Sequence, residues 1–264
     1  ARLTAAQVVN VSISSAAAIP LVGSMASTSS RGPAMSTQHI KPEIGAPGAS
    51  LSAEAGTGDE QTAFGGTSGA APMVSGAAAL LVEAFPHFSP DRIKALLMNS
   101  AETVVYTNPA LTPGDLAPIT RIGAGELRVD RAVALTSLAW NLTQKAAALS
   151  FGALEVDRKI TTVKQTLRIE NFSGTEKRFT VTPSFRYAND EASGAVRVRV
   201  KSKVWVSARG HEALEVTLEI DPDKLPSWAM NGGSQGGNGA GLNGPEYDGY
   251  ITLTAGAEQL SVPW

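Results

Sequence analysis

The sequence predicts a two-part chain: a mixed α/β portion over residues 1–137, followed by an all-β sandwich over residues 138–264. Two observations carry this. Helix-period patterns with proper boundary signals are confined to the first part. The second part holds about seven short strand-like segments with turn residues between them at regular spacing, the pattern of an antiparallel sandwich of roughly 100 residues. A length of 264 residues also suits two domains at roughly 150 residues each.

In chain order, Gln7–Ser14 alternates apolar and polar residues and is expected as a strand. Residues 23–58 are rich in Ser, Gly and Pro and are expected as long loops with one or two short strands. The stretch from Ala70 to Phe85 carries small or apolar residues on almost every face, which predicts a helix buried all round and ended by Phe85-Pro86. The next helix starts at Ser89-Pro90-Asp91, with Ser89 as cap and Pro90 at the first helical position. Its core face is Ile93, Leu96 and Leu97. A polar, proline-containing loop follows over Tyr106–Pro118, and Ile122–Gly125 leads into a short helix near Val129–Leu135. The expected strands of the second part are Ala148–Leu154, Thr161–Glu170, Lys177–Pro183, Val196–Val200, Lys203–Val206, Ala213–Ile220 and Tyr250–Thr254. Asn231–Gly244 is a Gly/Asn loop.

Composition excludes several function classes. With 22 basic against 24 acidic residues the formal charge is −2, which argues against a phosphate-neutralising nucleic-acid binder. The absence of Cys excludes a disulfide scaffold, a thiol nucleophile and a thiolate zinc site. No apolar run reaches the ~18 residues of a membrane span. The opening ARLTAAQ lacks both an initiator Met and a signal peptide, so the N-terminus is expected to be a cut point inside a longer protein.

The stretch that carries chemistry is Phe64-Gly65-Gly66-Thr67-Ser68-Gly69-Ala70-Ala71-Pro72. A glycine turn brings Ser68 to the start of an apolar helix. The glycines allow backbone angles that a Cβ forbids. The free N–H groups and positive dipole end of the helix favour developing negative charge. A serine there suits nucleophilic attack on a carbonyl, with a neighbouring backbone N–H receiving the oxyanion. Standing alone, the same residues also fit an ordinary serine N-cap.

The motif has company: Ser29-Ser30-Arg31-Gly32-Pro33, Lys41-Pro42-Glu43-Ile44-Gly45-Ala46-Pro47-Gly48, Gly66–Ala78, Gly123-Ala124-Gly125 and Val129–Val133. In this order the blocks resemble the C-terminal half of the catalytic domain of subtilisin-like serine proteases. Glu43 departs from the usual Asp, and Gly69 stands where Met is commonest. The resemblance implies Ser68 as nucleophile with its own N–H in the oxyanion hole, Gly66 and Thr67 shaping the turn, and Pro72 in the first helical turn. The fold it implies is a partial subtilisin-like α/β domain.

In that family the order is Asp, His, oxyanion Asn and then Ser. Only 67 residues precede Ser68 here, and neither His39, Asp59 nor Asn10 sits in a matching motif. His87 and His211 lie downstream, in a turn and in the second part. The chain alone is therefore expected to be inactive, its Asp, His and Asn supplied by an N-terminal portion of the same protease. Residues 1–20 then resemble the return from a protease-associated insert. The second part resembles the fibronectin-III-like sandwich of large secreted subtilases, through Leu149–Gly152, Thr166–Asn171, Tyr247–Leu253 and Leu260–Trp264. The resemblance implies a secreted or cell-envelope endopeptidase acting on extended polypeptides, with no required cofactor.

Two alternatives stay open: a sedolisin-like acid peptidase, and a pseudoprotease or adhesive module. Fainter signals are three glycosylation triplets at Asn10, Asn141 and Asn171, and acidic residues at Asp221, Asp223 and around Asn243–Asp248 that suit calcium without EF-hand spacing. Lys41 is better read as the exposed lysine of its turn than as a catalytic dyad partner.

Overall fold

The computed structural model describes residues 22–110, 112–226 and 246–264. The expected strand Gln7–Ser14, Asn10, the insert return at 1–20 and the loop Asn231–Gly244 lie outside the described residues.

From residue 22 the described part of residues 1–137 runs through loops that hold a hairpin, β1 (Ser50–Ala53) paired antiparallel with β2 (Gln61–Phe64). Helix α1 (Thr67–Ala84) follows directly, then α2 (Pro90–Asn99), one turn α3 (Ile119–Ile122) and α4 (Val129–Ala134). Pro90 occupies the first turn of α2 as expected, and Ile93, Leu96 and Leu97 are buried. Ser89 has the extended backbone of a cap, but its side chain makes no capping bond. Asp91 is instead the residue in that turn whose charge complements the helix dipole.

Helix α1 departs from expectation. Of its 18 residues only Gly69, Ala77 and Leu81 are buried, while Met73, Leu80 and Val82 are 43%, 56% and 53% exposed. Leu81 and Ala77 face α2 and α4, and that one stripe is all these neighbours cover. The composition of a helix reports every surface it is made to meet, and only one of those surfaces is covered here.

The second part contains two four-stranded antiparallel sheets. One has the order β3 (Ser137–Trp140), β4 (Thr161–Asn171), β8 (His211–Ile220), β6 (Val196–Val200). The other runs β10 (Glu258–Pro263), β9 (Gly249–Ala255), β5 (Lys177–Phe185), β7 (Lys203–Val206). Consecutive strands β6 and β7 belong to different sheets, so the chain crosses between layers at residues 201–202. Strand alternation sends Leu167, Ile169, Leu214, Val216 and Leu218 from one sheet, and Phe179, Val181, Val206, Ile251 and Leu253 from the other, into one apolar core. A short helix, α5 (Ala188–Ser193), links β5 to β6.

Residues 148–154 are not a strand. Their backbone is satisfied locally: the Gln144 amide donates to the Ser150 carbonyl at 2.7 Å and accepts from the Ser150 N–H at 3.1 Å. The Leu149 N–H reaches the Pro263 carbonyl at 2.9 Å. Sequence patterning also passed over β3 and β10. Both are edge strands, and Pro263 is tolerated at such an edge because the lost donor points away from β9 and removes no ladder bond.

Helix α2 is one of the joints between the two parts. The Asn99 side chain accepts from the Ala139 N–H of β3 at 2.7 Å and donates to the Ser261 carbonyl of β10 at 3.3 Å. Arg92 of α2 pairs with buried Glu170 of β4.

Candidate functional site

Gly66 caps α1 with φ 75°, a left-handed value that favours glycine, so a side chain here would strain the turn. Thr67 is then the first helical residue and Ser68 the second. Ser68 is therefore not the N-cap, and the ordinary capping role is removed. The Gly66 carbonyl accepts from the N–H groups of Gly69 at 3.0 Å and Ala70 at 3.2 Å. Among the described residues, the Thr67 and Ser68 N–H groups have no backbone acceptor. Ser68 is exposed, and its hydroxyl has no hydrogen-bond partner among the described residues. A free hydroxyl and a free N–H on one residue, at the positive end of an 18-residue helix, can meet an approaching carbonyl group.

Pro72 is not in the first turn. It is the sixth residue of α1, inside the helix. Its missing N–H is the one that would donate to the Ser68 carbonyl, so the proline loosens the helix at the residue carrying the hydroxyl.

The turn is backed by the Ala46-Pro47-Gly48 block. A Cβ on Gly48 would come within 2.8 Å of the Gly66 carbonyl oxygen, and one on Gly69 within 2.8 Å of the Gly48 oxygen. The glycine at 69 thus matches a closer approach of this loop than a side chain would permit. The hairpin holds the arrangement: the Ser50 hydroxyl donates to the Phe64 carbonyl at 3.1 Å, at the open end of β1 and β2.

The remaining blocks lock onto the same unit. The Gly45 N–H donates to Gly125 at 2.8 Å, Leu127 returns a bond to Gly45 at 2.8 Å, and Ala124 donates to Glu43 at 2.9 Å. The Gly32 N–H reaches Thr120 at 2.8 Å. Glu43 forms ion pairs with Lys41 at 2.8 Å and Lys94 of α2 at 2.9 Å. Burial works to raise its carboxyl, but the two lysines outweigh it and hold the group below the ordinary carboxylate value. Lys41 is thereby engaged with Glu43 and half-exposed, in keeping with a turn lysine.

The other titratable residues singled out from the sequence are not gathered around Ser68. His39 donates its N–H to the Thr37 hydroxyl in a loop. His87 lies in the exposed turn between α1 and α2, and His211 begins β8. Asp59 sits in the exposed β1–β2 connection. Asn141 and Asn171 are each 1% exposed and engaged in hydrogen bonds, so the acceptor asparagines of these two triplets are buried. Asp221 accepts from the Asp223 N–H and pairs with Lys224, and among the described residues no three acidic or imidazole groups converge on a metal position.

Sequence reasoning missed a buried polar junction. Arg186, at the end of β5, donates to the carbonyls of Ala117, Thr103 and Val105 at 2.8, 2.7 and 3.1 Å. Asp248 accepts from the Ile119 N–H at 2.7 Å, while its second carboxylate oxygen is buried without a partner among the described residues. Burial pushes the Asp248 carboxyl up to about 7; Glu246 adds to the rise, and the Ile119 bond and Arg186 oppose it. The available signal was weak: one charge standing beside an apolar strand in Tyr247-Asp248-Gly249-Tyr250.

Comparison with known proteins bears on the same blocks. Residues 6–133 match the Subtilase family, Peptidase S8. The chain is 34% identical over 179 residues to the minor extracellular protease Vpr of Bacillus subtilis, covering 66% of this chain and 21% of that protein. Two subtilisin-like proteases of Arabidopsis thaliana also match. SBT3.16 is 39% identical over 95 residues, 36% of this chain and 12% of that protein. SBT4.12 is 27% identical over 226 residues, 76% of this chain and 30% of that protein. The chain thus spans between an eighth and a third of the length of these relatives.

Proposed function

We propose that this chain is the C-terminal portion of a subtilase-type serine endopeptidase in which Ser68 is the nucleophile. The observation that carries the reading is the state of Ser68: exposed, at the second position of α1, with hydroxyl and backbone N–H both unengaged among the described residues. The match of residues 6–133 to the Subtilase family supports it.

In this mechanism the Ser68 oxygen bonds to a peptide carbonyl carbon as its proton passes to a histidine. The carbonyl electron pair moves to oxygen, and the resulting oxyanion takes the Ser68 N–H, reinforced by the α1 dipole. Collapse expels the amine with that proton and leaves an acyl-serine, which water hydrolyses. Histidine, its aspartate and the oxyanion asparagine come from a preceding portion of the protease. The exposed apolar side chains of α1, Met73 and Leu80 on one side and Val82 on the other, are what this portion covers. The chain alone is then inactive. Residues 138–264 act as a fibronectin-III-like sandwich that steadies the catalytic part, and the protein works outside the cell on extended polypeptides without a required cofactor.

Native mass spectrometry of the purified protein, followed by fluorophosphonate labelling, tests this. The expected result is a second polypeptide bound to this chain, with label on Ser68 in the complex and none on the isolated chain. A complex that leaves Ser68 unlabelled, or labels another residue, overturns the assignment.

A further inference from the structure

At the seam between α2 and the β4–β8 sheet lies a cleft of about 280 Å³, on a part of the molecule that the proposed chemistry leaves unused. Its charged lining comprises Arg92, Arg168, Arg209 and Glu170, with His211 at the margin. Three guanidinium groups thus face one carboxylate.

That carboxylate is already consumed. One Glu170 oxygen accepts from Arg92, and the other accepts from Arg168 Nε at 2.7 Å and from Trp140 Nε1 at 3.3 Å. Glu170 therefore orients two guanidiniums and leaves each with further N–H donors. Arg92 is also fixed from below, with its guanidinium 5.1 Å from the centroid of the Phe88 ring. Phe88 in turn stands edge-on to Phe172 in the cleft lining, with centroids 5.1 Å apart. Arg209 brings a third guanidinium with no acceptor among the described residues. Its backbone holds φ 54°, a left-handed value at which Asn or Gly is the easier residue. Asn171 offers no competing acceptor, because its side-chain oxygen takes the Ser173 N–H and hydroxyl. The cleft is rich in pre-oriented donors, short of acceptors, and carries a surplus of two positive charges.

We propose that this cleft binds an oxyanion, a carboxylate or phosphate group, which bridges Arg92 of α2 to Arg168 of β4 and to Arg209 of the β7–β8 turn. Guanidinium forks match both groups geometrically, and an anion shared by the two parts fastens them together. The inference stands apart from the role of Ser68.

The test is isothermal titration of the full 264-residue chain with inorganic phosphate and, separately, citrate, at constant ionic strength set with sodium chloride. The expected result is saturable one-to-one binding of at least one of the two, and which one binds tells phosphate from carboxylate. Arg209→Gln weakens it at least tenfold and Arg209→Lys partly restores it. Arg197→Gln, on the exposed face of β6, leaves it unchanged. Trp140 fluorescence gives a second readout, since its indole shares Glu170 with Arg168. Absence of saturable binding for both anions, or equal weakening by Arg197→Gln and Arg209→Gln, overturns the proposal.

Discussion

Gly48 and Gly66 meet backbone to backbone: a Cβ on Gly48 would lie 2.8 Å from the Gly66 carbonyl oxygen. That oxygen is the acceptor for the first two turn-closing bonds of α1, from Gly69 and Ala70. The close approach therefore sets the position at which the helix begins, and with it the position of Ser68. Gly48→Ala pushes on backbone, which has no rotamer to yield, so about 1–3 kcal/mol of destabilisation is expected. Gly174→Ala is the control, since a Cβ there meets nothing within 4 Å. Thermal unfolding of the two variants checks this: equal melting temperatures would mean that the loop simply moves aside.

Ser68→Ala separates chemistry from folding. The hydroxyl is exposed and bonded to nothing among the described residues, so its loss is expected to change stability by less than about 0.5 kcal/mol. In the assembled protease kcat is expected to fall by about 10⁶, a magnitude whose worked case is subtilisin itself. Melting curves and peptide hydrolysis measure the two effects. A large stability loss would return Ser68 to a structural role.

Pro72→Ala restores an N–H facing the Ser68 carbonyl. A proline inside a helix costs about 3 kcal/mol, from the lost bond and the clash of its ring with the preceding turn. Stabilisation of the chain by about 1–3 kcal/mol is expected, measured by urea unfolding. If activity of the assembled protease falls while stability rises, the loosened turn is part of the site. A drop in stability would show that the Ser68 carbonyl is satisfied by another donor.

The legible parts of this molecule were those written in local chemistry. Pro90 marked the start of α2, and alternating Val and Arg over Val196–Val200 marked a strand with one face buried. Gly66-Thr67-Ser68 marked the turn because a positive φ calls for glycine. The illegible parts depend on distant partners. The segment 148–154 has strand-forming residues, but the Gln144 amide takes the place of a ladder neighbour. Pro72 was placed a turn too early because the helix begins at Thr67, and Gly66, a residue with no side-chain signal, caps it. The burial of α1 was overestimated because apolar composition does not say which covering surface belongs to the same chain. The junction of Arg186 and Asp248 was not legible, and Asp248 read only as part of a calcium-suited stretch, because the partners of both side chains are backbone groups about 70 to 130 residues away.

The junction at Asp248 gives the chain a pH dependence of definite sign. The carboxyl has an ordinary value of 3.8 and is pushed up to about 7 by burial in the fold. Between these values the unfolded chain has released the proton and the folded chain still holds it. Stability from this group is therefore highest at acid pH, falls as pH rises from about 4 to about 7, and is level above that. The surrounding charges do not reverse this. Arg186 opposes the rise, but its donors are occupied by the Ala117, Thr103 and Val105 carbonyls, while Glu246 and Asp190 reinforce it. Tyr250, buried above the Arg186 guanidinium with its hydroxyl unpartnered among the described residues, offers no second charge to neutralise the carboxylate. Asp248→Asn keeps an oxygen for the Ile119 N–H and removes the titration. The variant is expected to match the parent only near pH 4 and below, where the carboxyl takes up its proton in both states, to pull ahead from about pH 5, and to exceed it at pH 8 by an amount on the order of a few kcal/mol. Urea unfolding across pH 4 to 9 measures the difference. Parallel profiles for the two proteins would mean that ionised Asp248 finds compensation inside the junction, with Arg186 released from a carbonyl to supply it.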